Sequence, residues 1–296
     1  MRYRTALLAA LAATLTVCWV LTRPLPAGTN VLDRRAGDPA AGKAVFDAGG
    51  CAGCHAEPGA EGAARLVLAG GRRLASPYGI FVAPNISPDP EHGIGGWSAR
   101  DLLRAMRDGV SPDGRHYYPA FPYTSYRHAS ARDIADLKAY LDTLPAAATP
   151  NTPHEIRFPY SLRPMLGLWK RLHLRADWVV PENGLDETTR RGRYLVEALG
   201  HCGACHTPRG PLGGLDRENW LAGAPDPDGE GRIPNITPGA LDWSAEDIAY
   251  YLKTGFTPEY DSAGGEMVEV IAALSRLADA DRAAIAAYLK AVPGRP

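Results

Sequence analysis

The sequence predicts a mainly α-helical protein made of two tandem copies of one small domain behind an N-terminal hydrophobic helix. Three observations predict this. The two halves of the 296-residue chain align with each other. Helix-start and helix-stop residues recur at matching places in both halves. An uncharged apolar segment opens the chain.

That opening reads "MRYRTALLAALAATLTVCWVLTRPLPAG". Arg2 and Arg4 precede an uncharged stretch, residues 5–22, and Arg23 and Pro24 close it. As a helix at 1.5 Å per residue it would run about 27 Å, close to the roughly 30 Å of a bilayer core. A cleaved signal has a shorter apolar region and a small-x-small site, which Leu25, Pro26 and Ala27 match poorly. The preferred reading is an uncleaved anchor over residues 1–28 with its arginines in the cytoplasm. The alternative is cleavage to a soluble periplasmic protein. Either way the bulk of the chain is exported.

The repeat is visible residue by residue. "GKAVFDAGGC" (residues 42–51) corresponds to "GRYLVEALGHC" (residues 192–202), and "PNISPD" (84–89) to "PNITPG" (234–239). "WSARDLLRAMRDGVSP" (97–112) corresponds to "WSAEDIAYYLKTGFTP" (243–258). Each half ends in "DIADLKAYLDTLP" (133–145) or "DRAAIAAYLKAVP" (281–293). Ser98 with Asp101, and Ser244 with Asp247, are capping-box-like starts; Gly109 and Gly255 are the matching stops. Ile134, Leu137, Tyr140 and Leu141 fall on one helical face, as do Ile285, Tyr288 and Leu289. The boundaries expected are 37–146 for the first domain, 147–184 for a connector and 185–296 for the second domain.

Each half also carries one chemical signature: "CAGCH" (51–55) and "CGACH" (202–206). Cys-x-x-Cys-His is the attachment pattern of c-type haem. Two thiols one turn apart form thioethers with one edge of the porphyrin, and the following imidazole becomes an axial iron ligand. Two covalently bound haem c groups are therefore expected, one on Cys51 and Cys54 with His55, the other on Cys202 and Cys205 with His206. The rivals fit less well. A redox Cys-x-x-Cys wants a preceding buried strand, a four-cysteine zinc site wants its two halves about 15–20 residues apart, and pentad disulfides leave both histidines unexplained. The fifth cysteine, Cys18, sits in the apolar opening segment and is read as inert.

The composition agrees. With 32 Gly, 26 Pro and only 5 Phe, the chain suits loop-rich helical domains filled by a large prosthetic group. The formal net charge of −1 argues against a general nucleic-acid binder.

In each half a helix runs into the pentad, a Pro/Gly-rich stretch comes after it, and two more helices close the domain. This order resembles the class I cytochrome c fold. The segments "PNISPD", "GIGGWS", "GRHYYPAFPYTSY" and "GGEM" look like those of the membrane-anchored dihaem cytochromes that serve periplasmic alcohol, aldehyde and gluconate dehydrogenases. The resemblance covers most of the chain from about Gly37 to Pro293. Those cytochromes usually carry a third haem domain, which this sequence lacks.

Such a domain needs a second axial ligand, commonly methionine. Met267, in "GGEMVEV", is the only methionine after the second pentad, and the resemblance places the ligand there. The first half departs from the pattern. Its corresponding residue is Phe121, where related cytochromes often read "YPAMPY". The first haem is then either five-coordinate or bound by another residue. His116 is the best substitute on that loop; it is read either as the ligand or as a hydrogen-bond partner. His128 and Met106 are weaker candidates.

Several further residues carry open readings. Asn85 and Asn235 either reach haem propionates or form turns. Trp97 and Trp243 pack near the haem edges or anchor helices. Arg72 and Arg73 neutralise propionates or are solvated. Residues 157–175 of the connector carry five basic side chains and no acidic one, interleaved with Met165, Leu168, Trp169 and Leu172. A helix here either lies on an anionic membrane surface or, the preferred reading, fixes the two domains against each other.

The function expected is transfer of single electrons from a periplasmic dehydrogenase through the haems to a cytochrome or terminal oxidase of the respiratory chain. No catalytic protein group is needed for that, and His154 and His173 have no partnered motif. The alternative is a dihaem enzyme, thiosulfate dehydrogenase-like or peroxidase-like, that uses an unusually ligated first haem. A haem-based sensor ranks last.

Overall fold

The computed structural model describes residues 2–24, 36–227 and 231–295. The poorly matching cleavage point at Leu25–Ala27 lies outside them. Helix α1 (Arg2–Thr22) is the apolar opening segment, and no residue of its span Tyr3–Thr22 is buried.

The first helical unit begins with α2 (Pro39–Ala48). Asp38 caps it by accepting from the Ala40 amide, and Pro39 sits at the first helical position, where a missing N–H costs nothing. The pentad comes next as α3 (Cys51–His55). After it stand a short hairpin of β1 (Arg73–Ser76) and β2 (Gly79–Val82), then α4 (Ala99–Asp108), α5 (Tyr123–Tyr126) and α6 (Ala131–Leu141). In the connector, β3 (Glu155–Ile156) adds to β2 and leads to α7 (Met165–His173). The second unit repeats the order. It has α8 (Glu187–Arg193), the pentad helix α9 (Gly203–His206), the small pair β4 (Ala224–Pro225) and β5 (Arg232–Ile233), and helices α10 (Ala245–Thr254), α11 (Met267–Leu274) and α12 (Asp279–Ala291).

The capping expectations hold. Ser98 and Ser244 each make the full reciprocal box with Asp101 and Asp247, and Gly109 and Gly255 end their helices at φ 61° and 80°, a region only glycine enters without strain. Ile134, Leu137 and Leu141 are buried, as are Ile285, Tyr288 and Leu289. Met106, buried in α4, is core.

In each unit the first and last helices cross at a glycine. A Cβ on Gly42 would stand 1.9 Å from the Asp136 carbonyl oxygen, and one on Gly192 would stand 1.9 Å from that of Ala284. The neighbouring contacts are to the Cβ atoms of Tyr140 and Tyr288. The helices therefore meet backbone to backbone.

The units differ in one respect that the sequence alignment implied without explaining. The second has one residue more between this glycine and the first pentad cysteine. The structure absorbs it in a π-helical turn, Tyr194–Leu199, where the Gly200 amide donates to the Leu195 carbonyl at 2.7 Å. A π-turn is how a helix takes in a residue while keeping the register of the chain beyond it. Here it keeps Cys202 in the place that Cys51 holds.

A buried polar network sits behind the second pentad. The Tyr288 hydroxyl donates to Glu197 Oε1 at 2.6 Å and accepts from Trp220 Nε1 at 3.1 Å. Glu197 also accepts from the Val179 and Val180 amides at 2.6 and 3.0 Å, which ties the connector to the second unit. Burial raises the Glu197 pKa while these donors oppose the shift. Tyr288→Phe would orphan the Trp220 N–H and take one of its two donors from Glu197 Oε1, which keeps the Val180 amide. The expected loss is about 1–3 kcal/mol of stability, measurable by thermal or denaturant unfolding.

Candidate functional site

The two pentads have the same local geometry. His55 Nδ1 donates to the Pro84 carbonyl at 2.8 Å, and His206 Nδ1 donates to the Pro234 carbonyl at 2.9 Å. That bond fixes the tautomer and the ring orientation, leaving Nε2 as the free donor atom of a metal ligand. Burial lowers the pKa of both histidines, with the carbonyl opposing, so both are neutral near pH 7, as a ligand must be. Sequence reasoning noticed the repeated "PNI" but missed that its proline carbonyls orient the histidines.

All five cysteines are unpaired. Burial pushes the Cys51 and Cys202 thiols up to about 12 and raises Cys54 and Cys205 as well. A redox-active Cys-x-x-Cys is built to lower a thiol pKa; this environment does the reverse. Among the described residues no three His, Cys, Asp or Glu side chains gather as a metal site. The pentads instead sit in apolar surroundings. Cys51 and Cys202 pack against a core that includes Leu68, Leu102, Leu221 and Ile248. A Cβ on Gly203 would stand 2.1 Å from the Trp220 ring, so position 203 admits no side chain. Two thiols, one oriented neutral imidazole and an apolar wall fit a covalently held porphyrin.

The axial loops correspond to one another through matching bridges. Val110 pairs with His116, and Phe256 with Ser262. The Tyr117 amide donates to Gly109 at 2.7 Å, and the Ala263 amide to Gly255 at 2.8 Å. Phe121 and Met267 each lie five residues past the second bridge partner, so the structure equates them. Met267 opens α11, half-buried against the core. Phe121 packs edge-on against Tyr117 and Tyr123 and tilted against Tyr126, with ring centroids 5.8, 6.5 and 5.7 Å away.

His116 is hydrogen-bonded at both ring nitrogens. Its Nε2 donates to the Thr22 carbonyl at 2.8 Å, and its Nδ1 receives Lys170 Nζ at 3.1 Å. Of its two readings, these bonds are those of a hydrogen-bond partner, tying the loop to the anchor end and the connector. His128 is stacked on Trp178 at 4.4 Å, and burial, helped by Arg217 and Arg127, pushes its pKa down to about 4.

The asparagines are loop pins. Asn85 accepts from the Ser87 amide at 2.9 Å and donates to the Ala147 carbonyl at 2.7 Å; Asn235 accepts from the Thr237 amide at 2.9 Å and donates to Arg295 at 3.0 Å. Trp243 packs on Tyr251 at 5.2 Å, and Trp97 lies half-buried against the core. Arg73 pairs with Glu155 at 2.7 Å.

Arg72 does something the sequence did not show. It donates to the Gly53 carbonyl inside the first pentad and grips Glu266 at 2.5 and 2.6 Å, next to Met267. Arg65 pairs with Glu269, two residues beyond that methionine. The segments before the two pentads also touch. His201 Nε2 lies 3.4 Å from the Gly49 carbonyl, and its ring is 5.7 Å from that of Tyr126. The two attachment segments thus face each other across the join between units.

The connector bridges everything. Lys170 donates to the Asp108 carbonyl at 2.8 Å and also to Gly109, and Trp169 Nε1 donates to the Leu212 carbonyl at 2.8 Å. Trp169 is thereby turned to the second unit. This fits the preferred reading of the connector as a spacer of fixed geometry.

Fold and site together define a c-type haem-binding protein: helical units whose first helix leads into a Cys-x-x-Cys-His set in apolar surroundings. Residues 39–145 match the family described as Cytochrome c. Over 273 residues the chain is 57% identical to a "Diheme cytochrome c-type" protein of Cereibacter sphaeroides, covering 92% of each. It is 39% identical over 252 residues to the fructose dehydrogenase cytochrome subunit of Gluconobacter japonicus, covering 83% of this chain and 50% of that one. It is 35% identical over 264 residues to the gluconate 2-dehydrogenase cytochrome c subunit of Pantoea cypripedii, covering 85% and 58%. The chain therefore spans nearly all of the first relative and little more than half of the other two at most. It belongs to the cytochrome c family.

Proposed function

We propose that this chain is a dihaem cytochrome c that carries single electrons from a periplasmic dehydrogenase toward the respiratory chain, delivering them to a cytochrome or terminal oxidase. The observation that carries the reading is the duplicated pentad geometry, with each histidine held by a proline carbonyl at the same atom. When bound, haem supplies the one-electron couple that no side chain here provides. The protein's part is to hold and to insulate. Cys51, Cys54, Cys202 and Cys205 anchor the two groups, His55 and His206 present Nε2, and Met267 is the second ligand in the second unit. Contact between Gly49 and His201 keeps the attachment segments adjacent, the arrangement that exchange between two carriers requires. Relatives named as dehydrogenase cytochrome subunits support a dehydrogenase as donor. The apolar span Tyr3–Thr22 supports membrane attachment with the haem units on the periplasmic face.

Pyridine haemochrome analysis of the purified full chain is expected to give two haems per polypeptide. The double substitution Cys202→Ala with Cys205→Ala should leave one. A colourless protein, or an unchanged haem content in the double variant, refutes the assignment. Purified without disruption of its complex, the chain should retain a dehydrogenase whose substrate reduces the haem absorbance.

One observation favours a second reading. Phe121 stands where Met267 stands in the repeat, so the first unit offers no ligand residue at that place. A dihaem enzyme would use such an open position. Rapid carbon monoxide binding by one haem, lost when Cys51 and Cys54 are replaced, would favour it; slow binding at both haems supports the carrier.

A further inference from the structure

The last turn of a helix leaves its final carbonyl groups without partners inside the helix. At the end of α1 the body of the protein supplies them. Arg171 Nη2 donates to the Val20 carbonyl at 3.0 Å and its Nε donates to Leu21 at 2.8 Å, while His116 Nε2 donates to Thr22 at 2.8 Å. Gly167 completes the seat, since any Cβ there would stand 2.1 Å from the Thr22 oxygen. Three groups from two elements thus hold one helix end, so α1 is docked on the body rather than joined to it by a loose tether.

That seat fixes where α7 lies. Arg171 reaches the carbonyl of Val20, which is inside the apolar span Tyr3–Thr22. Helix α7 is therefore level with the last turn of the anchor, at the depth where hydrocarbon gives way to headgroups. Around it, among the described residues, the surface is apolar and exposed. Phe158 is 79% exposed and Leu172 51%, and Leu162, Met165 and Leu168 are exposed with them. Met165, Leu168 and Leu172 share one face of α7 by their spacing. Residues 157–175 hold no acidic side chain, and Arg157, Arg171 and Arg175 are exposed. Exposed leucines among arginines beside a membrane helix are the composition of an interfacial segment.

We propose that this connector face, Phe158, Leu162, Met165, Leu168 and Leu172, rests in the headgroup layer of an anionic bilayer around the point where α1 leaves it. The two haem units then lie against the membrane in one orientation, with the same side always turned to partners. The inference rests on the reading of α1 as a retained anchor.

The test uses the full-length, haem-loaded chain in vesicles of phosphatidylglycerol and phosphatidylcholine. A nitroxide is attached at Leu168→Cys, with Cys18→Ser removing the other free thiol, and compared with one at Tyr260→Cys, where the native side chain is 95% exposed. Power saturation with a nickel-chelating lipid is expected to show severalfold greater collision at the Leu168 site. Equal collision at the two sites, with the chain still in the vesicle fraction, overturns the docking while leaving the anchor. A Leu168 site shielded from both lipid-bound and aqueous nickel assigns the face to a protein partner and likewise overturns it. A chain recovered from the supernatant without its first 24 residues by mass removes the anchor reading and the inference together.

Discussion

Gly192→Ala is expected to prevent the second unit from closing. The methyl group would have to occupy a position 1.9 Å from the Ala284 carbonyl oxygen and 2.8 Å from the Tyr288 Cβ, and none of these atoms is the end of a flexible side chain. Helices α8 and α12 would have to move apart along their whole crossing. Tyr288 would move with α12 and loosen its bond to Glu197. Overpacking typically costs about 1–3 kcal/mol, and a clash between two backbones belongs at or beyond the top of that range. Since a domain's whole stability is only about 5–15 kcal/mol, a large fall in unfolding midpoint should result, read by circular dichroism. The control is Gly264→Ala, whose added Cβ meets nothing within 4 Å and which should leave the midpoint in place. If Gly192→Ala unfolds where the native protein does, the helix crossing is not backbone to backbone.

Met267→Ala should abolish the sulfur-to-iron absorption band of the oxidised protein and lower the potential of one haem. Axial ligands set haem potentials over roughly 0.8 V, and a thioether lies toward the upper part of that range, so the shift should be large. The variant opens space at a half-buried position, which could move the loop by itself. Met267→Leu keeps nearly the same volume and apolar character but has no sulfur, and it should lose the band equally. A band that survives both substitutions means that Met267 is a packing residue and that the second ligand lies elsewhere. Because Glu266 and Glu269, on either side of Met267, are gripped by Arg72 and Arg65, the loop should stay folded in both variants.

Much of the fold and part of the site were legible in the sequence because they depend on neighbours in the chain. A serine and an aspartate three residues apart, with a glycine closing the helix, specify a capped helix wherever they occur, and α4 and α10 formed as read. The pentads are equally local, since two thiols and an imidazole within one turn declare their chemistry by spacing alone. The short strands β1 to β3 were not foreseen, because stretches of two to four residues carry too little periodicity to separate them from loop. The π-turn before the second pentad was visible only as a one-residue offset in the repeat.

His116 shows where such reading stops. By sequence it was the nearest imidazole to the missing methionine, and distance along the chain could not reveal that its two nitrogens are hydrogen-bonded to Thr22 and Lys170. Those partners come from the anchor and from the connector, so only folding brings the three together. The same holds for Arg72, whose surface look in the sequence concealed a bond to one pentad and an ion pair beside Met267 in the other unit.

Order along the chain was enough to establish a duplicated helical domain with one Cys-x-x-Cys-His in each copy and an apolar segment in front, since each of these is written in spacings shorter than a few helical turns. Folding determined which carbonyl aims each histidine, which loop residues correspond between the units, how the two attachment segments meet, and what holds the end of α1. Those depend on hydrogen bonds and close contacts between residues far apart in the chain, and such pairings exist only once the backbone has closed on itself.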